Sequence, residues 1–140
     1  MDVPYETDIV AWADEQSQLL RSMQWDALDI NNIAEEIADL GRKYRDALKS
    51  QMNRLLMHRL KQQFQPLLAT RSWDLSIREA TKQIRRLLRD HPSLKNTLQE
   101  SITICYQDAR EDAADETGLT LNTFPDRCPT DLEEELLNLL

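Results

Sequence analysis

The run INNIAEEIADLGRKYRDALKSQMNRLLMHRLKQQF, residues 30–64, decides the fold. Its apolar positions are Ile30, Ile33, Ile37, Leu40, Tyr44, Leu48, Met52, Leu55 or Leu56, Leu60 and Phe64. They recur at three- and four-residue steps, the period of one face of an α-helix. At 1.5 Å per residue such a helix is on the order of 50 Å long. Asp29 or Asn31 is placed to cap its start. Pro66 ends it, because the residue before a proline resists the helical region. Gly41 costs the helix about 1 kcal/mol relative to alanine, which predicts either a kink or a close crossing by another helix there.

Shorter helices flank this one. Residues 8–23 form the first, with Thr7 as its expected cap and one buried stripe through Ile9, Trp12, Ala13, Gln16, Leu19, Leu20 and Met23. Trp25 and Leu28 are expected to close over the core. Ser72 opens the next helix, carrying Trp73, Ile77, Ala80, Ile84, Leu87 and Leu88 up to Asp90-His91-Pro92. Ser93 caps the fourth, with Leu94, Leu98, Ile102, Cys105, Tyr106, Ala109 and Ala113, and Gly118 supplies the left-handed residue that helix ends favour. Residues 119–129 form a looping tail, and Thr130 or Asp131 caps a short helix over 132–140. The fold expected is therefore all-α: one domain over residues 1–140, a bundle of four main helices, one of them very long, with a C-terminal arm ending in a short helix.

Composition agrees. A chain of 140 residues with 41% apolar residues, two Gly and five Pro is too apolar for disorder and too poor in turn residues for a sheet protein. Apolar runs stop far short of the roughly 20 residues a membrane span needs, so no membrane partner is expected. Cys105 and Cys128 are read as reduced thiols, and the expected location is the cytoplasm.

Charge is laid out in three blocks. Residues 1–40 hold ten carboxylates against Arg21 alone. Residues 41–95 hold fourteen Lys and Arg against four carboxylates, and residues 96–140 hold eleven carboxylates against Arg110 and Arg127. The whole chain carries −8. A basic middle between acidic ends is either neutralised by them, within a chain or across a dimer, or left open to an anionic partner.

Several segments together carry a resemblance. They are Tyr5-x-x-Asp8 with Trp12, the stretch from Ala34 to Arg42, His58-x-Leu60-Lys61 running into Phe64-Gln65-Pro66, Arg71-Ser72-Trp73 with Ile77-Arg78, Pro92-Ser93-Leu94, and Glu116-Thr117-Gly118-Leu119 leading to Phe124-Pro125 and Cys128-Pro129. In this order and spacing the chain resembles, over nearly its whole length, the bacterial family called domain of unknown function twenty-nine, abundant in cyanobacteria. Gln62 and Gln63 stand where that family often carries aromatic residues. The resemblance implies a helical fold and a cytoplasmic home, and it lends no catalytic residue.

Three constellations carry possible chemistry. Glu35, Glu36 and Asp39 place two carboxylates on one helix face with a third about 100° round. Such a set can hold Mg²⁺ or Mn²⁺, and it is similar to the first acidic motif of all-α nucleotide pyrophosphohydrolases of the MazG type. The second acidic pair those enzymes need has its nearest analogue in Asp112 and Asp115. Against this stands an ordinary acidic helix start answering Arg42 and Lys43. Asp108, Glu111, Asp112, Asp115 and Glu116 form a second acidic stripe, read as a solvated face or a partner for the basic helices.

Arg78, Lys82, Arg85 and Arg89 step by four, three and four along one side of the third helix, with Arg86 beside them. That stripe, and Lys61, can grip phosphate or carboxylate. No zinc spacing accompanies it, and the acidic whole opposes a polyanion at long range. His58 and His91 are isolated, His91 on the surface, and Cys105 lies on an apolar stripe as an inert thiol.

The reading is a non-enzymatic helical interaction module whose basic helices engage acidic segments of its own or a partner chain. A homodimer oriented by Arg85 and Arg89 is expected, and no cofactor. The alternatives are a Mg²⁺- or Mn²⁺-dependent phosphohydrolase or nuclease built on the helix carboxylates, and a nucleic-acid-associated regulator built on the third helix.

Overall fold

The computed structural model describes residues 4–140; Asp2, a member of the first acidic block, lies outside them. Five α-helices follow one another: α1 (Ile9–Arg21), α2 (Ile30–Phe64), α3 (Arg71–Asp90), α4 (Leu94–Thr117) and α5 (Thr130–Leu137). No strand occurs among the described residues, so the all-α reading holds. Helix α2 has its expected bounds and runs unbroken through Gly41. No described helix is long and apolar enough to cross a membrane. The chain divides into two compact units, Met1–Lys43 and Tyr44–Leu140.

In the N-terminal unit Asp8, not Thr7, caps α1, its carboxylate accepting from the Ala11 N–H at 3.1 Å. Trp12 and Gln16 are the buried residues of this helix, while Ile9, Leu20 and Met23 face solvent. The stripe is thus narrower than its spacing predicts. Asp29 ties the unit together. Its carboxylate accepts from the Trp12 indole N–H at 2.9 Å and the Asn32 amide at 2.8 Å, and its own N–H donates to Gln16 Oε1 at 2.8 Å. Its carbonyl accepts the first helical bond of α2, from Ile33, so Asp29 stands where the sequence placed a cap. Tyr5 packs edge-on against Trp12, 4.8 Å between ring centres, and donates its hydroxyl to Glu36. Trp25 does not close over a core: it sits on a 3-10 turn, Trp25–Ala27, at 55% exposure, because Trp12 already occupies the interior place.

The C-terminal unit owns the main core. Leu48, Met52, Leu55, Leu56 and Leu60 of α2 are fully buried against Ile77, Ala80, Ile84 and Leu88 of α3 and Leu98, Cys105, Tyr106 and Ala109 of α4. Helix α3 begins after Thr70 rather than at Ser72; the two hydroxyls meet at 2.6 Å, and Thr70 makes no side-chain cap. Ser93 precedes α4 as expected, yet it holds helical angles and its hydroxyl caps nothing. Gly118 ends α4 at φ +74°, the left-handed geometry expected of it.

The arm that follows is part of the core. Phe124 is buried edge-on against Phe64, 5.3 Å between ring centres. The Tyr106 hydroxyl donates to the Pro125 carbonyl at 2.6 Å. Arg110, only 8% exposed, donates twice to the Phe124 carbonyl, at 3.2 and 3.1 Å, and once to Asp126 at 3.0 Å. Helix α5 starts at Thr130 and sends Leu132 and Leu136 inward.

Candidate functional site

Helix α3 is the most sharply two-faced element of the fold. Ile77, Ala80, Ile84 and Leu88 turn into the core, so the residues between them, Arg78, Lys82, Arg85, Arg86 and Arg89, are driven to the other side. They line an open cleft of about 670 Å³ together with Arg59 of α2, with Ile77 and Leu139 as its apolar lining and Glu135 and Asn138 at its C-terminal wall.

Six cations line this cleft against one carboxylate. Glu135 is already committed: it accepts from Arg59 Nη2 at 2.7 Å and from Arg59 Nε at 3.0 and 3.1 Å, while Arg59 Nη1 donates to Gln62 at 3.0 Å. That bidentate pair fixes α5 to α2 and leaves no negative charge over for α3. Among the described residues no carboxylate lies within 4.0 Å of the charged atoms of Arg78, Lys82, Arg85 or Arg86, and Arg89 meets only its neighbour Asp90, at 3.5 Å. Glu79, next to Arg78 in the chain, is held below the ordinary carboxylate range chiefly by the Gln83 amide, which donates at 2.8 Å, with Lys82, Arg54 and Arg86 adding to the effect. Positive potential concentrated in a cleft with low-dielectric walls attracts anions more strongly than the same charges on a flat face.

Lys61 lies elsewhere. Its ammonium meets Glu116 at 2.9 Å and stands 4.6 Å from the centre of the Trp73 ring, so it serves as a tie between α2 and α4. Among the sequence-predicted cations, Arg78, Lys82, Arg85 and Arg89 come together and Lys61 does not. Arg59 and the α5 residues were missed, because they arrive from 76 residues apart and no local pattern marks them.

The carboxylates of the metal reading divide between the two units. In the first, Arg42 bonds Asp39 and stands 3.8 Å from Glu35, and Glu36 accepts the Tyr5 hydroxyl. In the second, Asp112 borders a shallow cleft of about 430 Å³ with Asp108, Asp46 and Lys49, and Asp115 is exposed on α4. Among the described residues no group of three or more His, Cys, Asp or Glu is arranged to hold a metal ion. His58 Nδ1 lies 2.9 Å from the Arg54 carbonyl. His91 is half-buried rather than at the surface, its ring tilted at 40° against Tyr44 with 4.2 Å between ring centres. Both cysteines are free, and burial pushes each thiol up to about 11.

No curated protein and no solved structure matches this chain. The sequence profile of the family described as domain of unknown function DUF29 matches residues 4–139. That span takes in all five helices and the basic cleft, and the chain belongs to this family.

Proposed function

We propose that the protein is a non-enzymatic interaction module whose α3 cleft receives an acidic segment of a protein partner. One observation carries this reading: six cations line the cleft, and its single carboxylate is already taken up by Arg59. Ile77 and Leu139 give the cleft an apolar lining beneath the charges, which suits an amphipathic helix with carboxylates along its flanks. The overall charge of −8 disfavours a long polyanion at a distance while leaving a short acidic segment attracted at close range. Two unbridged cysteines fit a reducing compartment, and the reading places the module in the cytoplasm.

Titration of a fluorescent, Glu-rich helical peptide by anisotropy tests this. Binding should be salt-sensitive and should weaken by about tenfold or more in Arg85→Glu with Arg89→Glu, since each reversal turns an attraction into a repulsion. A double variant that binds as the parent does overturns the proposal. Tighter binding of a short DNA or RNA duplex than of the peptide, lost in the same variant, transfers the cleft to nucleic acid.

A further inference from the structure

The N-terminal half of α2 carries an apolar row that the described residues leave largely uncovered. Ile30, Ile37 and Leu40 are 65%, 64% and 61% exposed, with Ile33 half-buried among them. Their steps of three, four and three are those of a coiled-coil seam, in which each side chain fits between residues of a facing helix. Charge changes sign along the same stretch. Glu35, Glu36 and Asp39 lie toward its start, and Arg42 and Lys43 follow Leu40. Arg42 is occupied by Asp39 and Glu35. Lys43 is exposed, with no carboxylate within 4.0 Å among the described residues. Glu36 takes the Tyr5 hydroxyl on Oε1, and no described residue bonds its Oε2.

We propose that two copies of the chain pair antiparallel along this seam. Glu36 and Lys43 are seven residues apart and flank the same side of the row, two helical turns from one another. If Ile37 of one copy faces Leu40 of the other, two-fold symmetry sets Glu36 of each copy beside Lys43 of its mate, so the same ion pair forms twice. A parallel pairing sets Glu36 beside Gly41 and leaves Lys43 facing no carboxylate, because flanking contacts then run five residues on. The seam supplies the burial, and the charge gradient selects the direction. This row shares no residue with the α3 cleft, and either proposal can fail alone.

Sedimentation equilibrium of the full chain reads the outcome. The parent should be a dimer, and Ile37→Asp with Leu40→Asp should be a monomer with an unchanged helical circular dichroism spectrum. Lys43→Glu and Glu36→Lys should each weaken self-association by about tenfold at low salt, because both symmetry-related pairs become repulsive. An equimolar mixture of those two variants should associate again, since each copy then offers the charge the other needs. A parent chain that stays monomeric at the highest attainable concentration overturns the proposal. So does a dimer indifferent to Ile37→Asp with Leu40→Asp, or a mixture that associates no better than its separate components.

Discussion

Asp29 shows how much one side chain can organise. Hydrogen bonds from the Asn32 amide, then from the Trp12 indole, hold its carboxyl below the ordinary range. A depressed carboxyl contributes stability that is complete above the unfolded value, near 4, and is lost as pH falls through the folded value. Acid should therefore loosen the N-terminal unit, visible as a shift of the Trp12 indole proton resonance below about pH 4, and Asp29→Asn should flatten that dependence. Tyr5 gives the opposite sign. Its hydroxyl is pushed up to about 12, chiefly by its bond to Glu36. The stability it contributes is complete below about pH 10 and is lost as pH rises through the folded value. The difference in phenolate absorbance between parent and Tyr5→Phe should thus titrate late. Gly118→Ala isolates backbone strain: φ is +74° and nothing lies within 4 Å of the added methyl, so unfolding by urea should register a loss of about 1 kcal/mol.

Periodicity records which side of a helix is apolar, and only packing determines whether that side is covered. Helix α2 makes the distinction plain. Leu56 and Leu40 belong to the same stripe, yet one is fully buried and the other mostly exposed. Leu56→Ala should cost about 3 kcal/mol by the cavity it opens, whereas Leu40→Ala should cost the folding of a single chain less than about 0.5 kcal/mol; denaturant titration at low protein concentration separates them. The extent of α2, its stop before Pro66 and the turn at Gly118 were legible in sequence because each depends on local chemistry. The caps were legible only to within a residue or two, since Thr7 and Asp8, or Thr70 and Ser72, offer similar oxygens at adjacent positions. The cation stripe of α3 was legible from its steps of four, three and four. The cleft itself was not, because Arg59 and α5 join it through the tertiary fold.

Across the molecule the three charge blocks meet unequal fates. The last acidic block sends Glu116 to Lys61 and Glu135 to Arg59, and it supplies Asp126 to the buried Arg110, so it answers two cations at the C-terminal end of α2 and none of the stripe on α3. Raising salt to physiological strength brings the screening length to about 8 Å. That should weaken acidic-peptide binding in the cleft severalfold while moving the thermal midpoint by no more than about 2 °C, because apolar burial carries the fold. Arg110→Ala should act on the arm: it leaves the Phe124 carbonyl without its donors and should cost about 2–3 kcal/mol. The two cysteines make that local event observable. Both thiols resist ionisation. Cys105 on α4 is buried, so an alkylating reagent must wait for the core to open, while Cys128, beside Pro129 in the arm, is half-buried and reacts more readily as the arm loosens. Mass spectrometry of the native protein should find Cys128 modified before Cys105, and Arg110→Ala should hasten Cys128 alone. The chain thus contains two clocks of its own, one quickened by loosening of its C-terminal arm and the other set by the opening of its core.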